Sequence, residues 1–473
     1  LLLFRVVARA LFFFFSYDVF NDVTRYSLAF LDYSIPEATS LASQACIPLK
    51  ERLAERIPEL LNDITAADIV LIHWWNHPLL YAFLVKTPMP PARILLWSHV
   101  SGHTPPQTFT RELLAFPDLF VIASPFSLES PIVRRLSPRE RQDKIRLVFS
   151  CAGTDHVASA RPVPHEGFRI GYVGTVDYCK MHRNYLRMSA AAEIPEARFV
   201  VCGGPRWETI QQEAHETGIG RKFEFLGHVN DVASVLSSFD VFGYPLAPTH
   251  YGTGEQTLIE AMAAGVPPVV IGNGAEHYIV ENGVTGLVAE DEAAYTRSLE
   301  LLYRRPDLRT AMAQNARKNA EMKFTIQKTA QAWRNLYDEV MPLAKRPRAW
   351  PRIPADHPLT PAEVFIASLG EHGRDYAASL KNRNGEKAFS ADDRIALMPD
   401  LFRAETRGSV FHYQAYFPDD PYLNYWCGLT CLTENNFKKS KDYFHLAAAG
   451  VGRRRISRFI GSNPVSGRMV PPV

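Results

Sequence analysis

The stretch from residue 251 to residue 288 carries the residue types best suited to chemistry. It reads YGTGEQTLIEAMAAGVPPVVIGNGAEHYIVENGVTGLV, a glycine-rich loop followed by a short helical pattern that bears Glu255 and Glu260. Glycine has no Cβ, so such a loop lets backbone N–H groups approach a phosphate, and the start of the following helix is electropositive. A carboxylate on that helix can hold a sugar diol, although an acid that only stabilises the helix start is an alternative for both glutamates. The combination predicts a nucleotide-sugar site.

A second glycine turn offers a cation. FRIGYVGTVDYCK places Gly171 and Gly174 at the close of a predicted strand, with Lys180 six residues after Gly174. A flexible ammonium beside a glycine turn suits a diphosphate leaving group. A surface lysine after an ordinary strand–helix turn fits this segment equally well.

Histidines follow two neighbouring predicted strands. His73 and His77 close DIVLIHWWNH, and His99 and His103 bracket WSHVSGHTPP. A single histidine at a strand end is more often structural, but two such ends side by side favour function. The sequence has no HExxH and no Asp-x-Asp that could hold Mg²⁺ against a diphosphate, so we expect neither a metal nor a cofactor.

Composition limits the class of protein. The 473 residues are 47% hydrophobic and 22% charged with a net charge of +2, which suggests about three domains and no nucleic-acid partner. Six scattered cysteines without a CxxC pair favour a reducing, cytoplasmic compartment. The apolar start is interrupted by Arg5 and Arg9 and is too short to span a membrane, so we expect no transmembrane segment. Peripheral contact with the inner membrane surface remains open.

Short apolar runs alternate with helical stretches between about residues 60 and 290. Continuous apolar strands separated by helices predict an α/β fold with two Rossmann-like domains of parallel strands facing a cleft, joined by the proline-rich link 161–167. Ligands of such sheets bind outside the carboxyl ends of the strands. The runs are 68–75, 93–100, 119–126 and 145–153 before the link, and 168–174, 197–204, 222–227, 241–246, 266–274 and 285–290 after it.

The domain boundaries follow from these patterns. We expect a first domain at 1–160, truncated at its start because no methionine precedes it, and a second at 161–341. A linker at 342–358 leads to a helical extension at 359–473 that could dock a protein partner. Within it, 421–451 resembles one tetratricopeptide repeat, and an ordinary helical hairpin is an equal alternative.

From about residue 60 to 341 the chain resembles the retaining GT-B glycosyltransferases of group 1. The resemblance is carried, in order and at the right distances, by GYVG followed by Lys180, VVCGGP, FLGHV, GTGEQTLIEAMAAGVPPVV and ENGVTGLV. It implies a first domain that binds the acceptor and a second that binds a UDP- or GDP-hexose. A glycan, lipid or small-molecule hydroxyl would accept the hexose.

The resemblance also assigns residues. It implies that Glu260 holds the donor ribose, that Lys180 binds the diphosphate, and that His99 faces the transferred sugar. Catalytic candidates are then His99 and Glu255. The donor-binding candidates are Gly174, Thr175, Lys180, Arg183, Gly252, Thr253, Gly254, Thr257 and Glu260.

Two positions depart from the family's pattern. The first motif glutamate, eight residues before the second, falls on Gly252, and Glu255 is the nearby acid that could replace it. The arginine that accompanies the lysine falls on Thr175, and Arg183 could reach the same phosphates. These departures keep two alternatives to hexose transfer open: a catalytically weakened binding or scaffold protein, and a nucleotide-sugar epimerase.

Overall fold

The computed structural model describes residues 2–4, 25–149, 153–351, 359–381, 386–398 and 407–460. They fall into two compact units. The first comprises Leu1–Trp74, Ala92–Thr104 and Pro117–Arg346, and the second comprises Trp75–Pro91, Pro105–Phe116 and Pro347–Val473.

Strands are numbered here in chain order. Those of the described residues are β1 (Leu2–Phe4), β2 (Leu28–Phe30), β3 (Leu49–Lys50), β4 (Val70–Trp74), β5 (Met89–Ala92), β6 (Ile94–Ser98), β7 (Leu119–Ile122), β8 (Ile145–Leu147), β9 (Phe168–Val173), β10 (Ala197–Cys202), β11 (Phe223–Gly227), β12 (Val241–Tyr244), β13 (Pro268–Ile271), β14 (Leu287–Ala289) and β15 (Arg346–Arg348). Each of the ten apolar runs contains one of these strands.

The first unit holds two parallel sheets. The first sheet has the order β3-β2-β1-β4-β6-β7-β8, and the second has the order β11-β10-β9-β12-β13-β14. In each sheet the chain winds outwards in one direction and then reverses, so a switch point lies between β1 and β4 and between β9 and β12. Ligands of doubly wound sheets bind at the carboxyl ends of the strands at such points. The predicted α/β class with parallel sheets is confirmed.

Helices of the first unit cover these sheets and supply the site. The helix Gln256–Ala263 follows β12 and buries Leu258, Ile259, Ala261 and Met262 in the core of the second sheet. The helices of this unit are Pro36–Gln44, Ile57–Ala66, Pro131–Arg134, Pro138–Lys144, Asp155–Ala158, Tyr185–Ala190, Trp207–Glu216, Val232–Ser237, Gln256–Ala263, Glu292–Arg304, Pro306–Lys323 and Ile326–Val340.

The last helix of the first unit, Ile326–Val340, packs on the first sheet although it follows the second. Thr325 caps its start by accepting from Lys328 N. Its Trp333 ring meets Trp97 of β6 edge-on, with 4.9 Å between centroids, and Leu336 joins the same core. The chain therefore crosses back from the second sheet to the first.

The second unit is helical. Its helices are Pro78–Lys86, Arg111–Ala115, Pro361–Leu369, Arg374–Lys381, Glu386–Ala396, Val410–Tyr416, Pro421–Thr433, Phe437–Val451 and Arg453–Ile460, and most of the β5–β15 ribbon also belongs to it. The helices Pro421–Thr433 and Phe437–Val451 pack against each other as a hairpin, while the tetratricopeptide assignment stays a prediction. No helix of the described residues is long and apolar enough to cross a membrane.

Two buried polar clusters hold the second unit together. Asn76 donates to Pro106 O and Ser368 Oγ at 2.7 and 3.1 Å and accepts from Tyr413 OH at 2.8 Å. Asp392 and Arg455 form an ion pair whose side chains are both fully buried. Because a buried polar group is costly unless it is paired, both clusters constrain how these helices pack.

Candidate functional site

The site begins at the switch point of the second sheet, where Gly174 follows β9. A Cβ at Gly174 would lie 3.4 Å from Tyr244 OH and 3.8 Å from Thr257 Oγ1, and its φ of +152° is one that side chains rarely adopt. The carbonyl of Gly174 is also packed against Gly203 after β10, where a Cβ would come within 1.9 Å. The turn therefore brings bare backbone next to the end of β12 and the start of the helix Gln256–Ala263.

Lys180 and Glu255 form a buried ion pair beside this turn. Lys180 Nζ lies 2.9 Å from Glu255 Oε2, with 18% and 1% of the two side chains exposed. Tyr244 OH donates to the same oxygen at 2.9 Å. Burial alone would raise the pKa of Glu255, but the Lys180 ammonium and His250 outweigh it and hold that pKa below its usual range. Burial would likewise lower the pKa of Lys180, and the Glu255 carboxylate raises it instead.

Glu255 takes an unusual backbone conformation. Its φ and ψ are 32° and 60°, in the left-handed region that residues other than glycine rarely adopt. This conformation directs the Glu255 carboxylate towards Gly252, where a Cβ would lie only 1.8 Å from Glu255 Oε1. The position that bears the first motif glutamate in the family therefore has no room for a side chain here, because the Glu255 carboxylate fills that space.

His250 fixes the backbone of the same loop. Its Nδ1 accepts from the Gly252 N–H at 3.0 Å, and its Nε2 lies 3.0 Å from Glu276 Oε1. Since Nδ1 accepts, the ring proton of the neutral histidine is on Nε2, facing Glu276. Burial would lower the pKa of His250, but the Glu276 carboxylate outweighs it and raises that pKa. The amide of Gly252 is thus engaged inside the protein, which leaves the amides of Thr253 and Gly254 as the candidates for phosphate.

His250, Glu255 and Glu276 are also the one group of described residues placed to ligate a metal ion. One ligand atom of each lies within 4.8 Å of the others, and all three side chains are buried. Each carboxylate already has a cationic or donor neighbour, Lys180 for Glu255 and His250 for Glu276. Both carboxylates are thus already engaged by a nitrogen of this cluster, and a cation would have to displace these contacts.

Glu260 lies one turn further along the helix and faces the connecting segment. Gln256 Nε2 donates to Glu260 Oε1 at 3.0 Å and to Gly153 O at 2.9 Å. His156 Nε2 lies 3.2 Å from the same Oε1 atom. The Glu260 side chain is 11% exposed, so the carboxylate is held in place yet still reaches solvent.

His99 stands at the carboxyl end of β6 and is paired with His73 of β4. His99 Nε2 and His73 Nδ1 are 2.9 Å apart, and the two rings are nearly parallel at 12°. The Ser101 N–H donates to Tyr251 O at 3.0 Å, which ties the turn after β6 to the loop that contains Glu255. The structure therefore brings His99 and the glycine-rich loop to the same region of the first unit.

The remaining predicted residues make different contacts. Arg183 pairs with Glu213 at 2.9 Å, stacks over the Tyr178 ring and is 64% exposed. Its guanidinium is therefore engaged outside the cluster of Lys180 and Glu255. Thr175 contributes its backbone carbonyl, which accepts from the Tyr172 hydroxyl at 2.8 Å. The other predicted residues of the glycine-rich loop and helix start are Thr253, Gly254 and Thr257, of which Thr253 is fully buried.

Sequence reasoning missed four residues of this cluster. Tyr244 lies within the predicted strand 241–246, and His250 directly precedes the stretch 251–288 that contains the glycine-rich loop. Their position gave a usable signal. Glu276 and His156 carried no comparable signal, because their contacts are made across loops of the fold.

Comparison with known proteins identifies the part of the chain that holds most of this cluster. Residues 158–319 match the family of glycosyl transferases group 1. The resemblance deduced from the sequence is thereby confirmed for this part of the chain.

Individual relatives match a similar portion. A D-inositol 3-phosphate glycosyltransferase of Corynebacterium jeikeium (strain K411) is 30% identical over 200 residues, which cover 39% of this chain and 46% of that protein. A 2-deoxystreptamine N-acetyl-D-glucosaminyltransferase of Niallia circulans is 24% identical over 165 residues, covering 32% of this chain and 42% of that protein. The chain thus spans less than half the length of these curated relatives.

A solved structure matches over a longer range. The crystal structure of Anabaena Alr3699/HepE in complex with UDP and glucose has a TM-score of 0.57 at 15% identity. The match covers 72% of this chain and 98% of the HepE chain. This likeness concerns the fold, and it confirms the predicted GT-B architecture.

Proposed function

We propose that this chain transfers a hexose from a nucleoside-diphosphate sugar to a hydroxyl acceptor with retention at the anomeric carbon. The observation that carries the proposal is the buried Lys180 ammonium at the switch point beside Gly174. A phosphate can approach the bare backbone there and meet a positive charge at the same place. The glycosyltransferases among the relatives and the UDP and glucose of the HepE structure support this reading.

The proposed roles combine the family resemblance with the contacts described above. The Lys180 ammonium and the amides of Thr253 and Gly254 would stabilise the charge that develops on the departing diphosphate. Glu260 would accept the hydroxyls of the donor ribose. Glu255 would keep Lys180 charged and in place, and could accept a hydroxyl of the hexose through Oε1. Catalysis would then be positional and electrostatic.

The bond changes are those of a same-face substitution. The bond between the anomeric carbon and the diphosphate oxygen breaks, and a bond to the acceptor oxygen forms on the same face. The acceptor proton passes to an oxygen of the leaving diphosphate. No redox partner is needed, and His99 at the end of β6 would border the transferred sugar.

A binding protein without transfer activity is the second candidate. It is favoured by two observations: the charge of Lys180 is already neutralised by Glu255, and the amide of Gly252 is already engaged by His250. Such a protein would bind the donor but release no nucleoside diphosphate in the presence of acceptors.

A panel of UDP- and GDP-hexoses tests the proposal, first by thermal shift and then by release of nucleoside diphosphate with candidate acceptors. A ligand that binds only the folded state raises its apparent stability by mass action. We expect Lys180→Ala to lower release by about 100-fold or more, as removal of one transition-state donor does. Glu260→Ala removes an acceptor of the ribose hydroxyls and should lower release mainly by weakening donor binding.

The matched control is Arg187→Ala, which removes an exposed cation that pairs with Glu292 on a neighbouring helix. Its activity should stay within about twofold of wild type. Unchanged release in Lys180→Ala would overturn the site assignment. Donor conversion without any acceptor would instead identify an epimerase, and donor binding without turnover would identify a binding protein.

A further inference from the structure

The segment that joins the two sheets of the first unit carries a histidine that none of the roles above uses. His156 lies on the helix Asp155–Ala158, between β8 and β9, and 41% of its side chain is exposed. Its Nε2 atom is 3.2 Å from Glu260 Oε1. An exposed histidine therefore contacts the carboxylate to which the proposed function assigns ribose binding.

Two donors converge on one oxygen of this carboxylate. His156 Nε2 and Gln256 Nε2 both lie within hydrogen-bond distance of Glu260 Oε1, at 3.2 and 3.0 Å. Gln256 is in turn anchored to Gly153 O at 2.9 Å. Among the described residues, no hydrogen bond reaches Glu260 Oε2. The two donors hold the carboxylate through Oε1, and Oε2 is left to accept from a ligand.

The charges around His156 support the same arrangement. On the helix Gln256–Ala263 its neighbour is Glu260, whose hydrogen bond raises the pKa of His156, and on its own helix Asp155 adds to that effect. From the helix Pro306–Lys323, Arg317 reaches the carbonyl of Ala158 at 3.4 Å, at the far end of the short helix. The imidazole is thus held towards the carboxylate.

We propose that His156 is a donor-positioning residue that works with Glu260 to recognise the ribose diol, so that the protein selects ribonucleoside over 2′-deoxyribonucleoside diphosphates. This rests on the proposed function, because it assumes that a nucleotide binds at Glu260. A site built to hydrogen-bond a hydroxyl rejects the analogue that lacks it, since its buried polar groups are then left unpaired. Loss of His156 leaves Gln256 to hold Glu260 Oε1, so the carboxylate is positioned less firmly. Recognition of the hydroxyl then weakens while contacts with the diphosphate remain.

The test compares UDP with 2′-deoxy-UDP, and GDP with 2′-deoxy-GDP, by calorimetry on the full chain. Wild type should bind its preferred ribonucleotide about 10-fold or more tighter than the deoxy form, as a hydrogen bond to a charged group implies. His156→Ala should weaken the ribonucleotide by about 5-fold to 10-fold and the deoxy form by less than about twofold. His156→Gln keeps a donor and should restore most of the ratio.

His165→Ala is the matched control, because His165 lies 3.4 Å from Asp240 in another histidine–carboxylate pair of the same connecting region. It should leave both affinities unchanged. Equal losses for the two nucleotides in His156→Ala would show a merely structural role, and no loss would show no role, and either result overturns this inference alone. If wild type binds no nucleoside diphosphate at all, the proposed function falls with it.

Discussion

Gly252→Ala tests whether the Glu255 carboxylate must stand where it does. The new Cβ would lie 1.8 Å from Glu255 Oε1 and 3.0 Å from both Glu255 Cδ and His250 Nδ1. Real Cβ contacts are not shorter than 3.0 Å, so the carboxylate must retreat by about 1.2 Å, the difference between 3.0 and 1.8 Å. Such a movement lengthens the 2.9 Å contact with Lys180.

The cost should appear in turnover rather than in stability. The clashing atom is the end of a flexible side chain, so the destabilisation should be near the lower end of the roughly 1–3 kcal/mol typical of overpacking. A misplacement of about 1 Å in a catalytic group can cost about 100-fold in rate. We therefore expect turnover to fall by about two orders of magnitude, measured as release of nucleoside diphosphate, while urea unfolding shows a loss of about 1 kcal/mol.

Two further variants test the same argument by placing an acid at position 252. Gly252→Glu restores the acid at the family's usual position, yet it should be less active than wild type because two carboxylates then compete for one space. Adding Glu255→Gly removes the competitor and the left-handed glutamate, whose φ is 32°, and should recover part of the activity. Turnover of Gly252→Ala within about threefold of wild type, or Gly252→Glu above wild type, would refute the argument.

Three other predictions concern ion pairs. Lys180→Met leaves the Glu255 carboxylate buried without its cation, and the free energy of unfolding should fall by about 3–5 kcal/mol in urea titrations. Adding Glu255→Gln should recover most of that loss. Unchanged stability of Lys180→Met would show that the ion pair does not stabilise the fold. Asp392→Asn removes the charge partner of the fully buried Arg455 and should cost a similar amount by thermal unfolding, and full stability of this variant would mean that the ion pair does not hold the helical unit. The pKa of His156 is raised in the fold, so its ion pair stabilises the protein fully below the unfolded pKa of about 6.5 and loses that effect as the pH rises through the folded value. The Tm difference between wild type and His156→Ala should accordingly shrink from about pH 6 to about pH 9, and a difference that grows with pH would count against it.

The strands and strand-end turns could be predicted because their signals are local. A run such as FRIGYVG combines apolar residues with glycine at the point where the chain must turn, and its place in the second sheet follows. Lys180 and Glu260 become candidates through signals of the same kind, their distance from a glycine turn or a helix start, and their roles at the site stay predictions. The confirmed α/β class rests on signals of this kind.

A C-terminal helical region at 359–473 was predicted and is present, but the composition of the whole second unit could not be predicted from such signals. Its make-up depends on contacts such as that between Asn76 and Ser368, which are 292 residues apart in the chain. The residues next to Asn76 and Ser368 in the sequence give no sign of this contact. A linear pattern assigns Pro78–Lys86 to the domain whose strands flank it, while its packing places it with helices from the end of the chain.

The absence of a glutamate at position 252 of the motif shows the limit of spacing as evidence. What the buried Lys180 needs is a carboxylate within about 3 Å, because an unpaired ammonium in that position would be desolvated without compensation. A residue three positions later meets the need if its backbone turns into the left-handed region, and Glu255 does so at a conformational cost of about 1–2 kcal/mol. That cost is tolerated only where the surroundings hold the residue in place, here through Lys180 and Tyr244. We therefore propose that Glu255 supplies the acid of this site by its position beside Lys180, and that the lack of a side chain at Gly252 leaves room for its carboxylate.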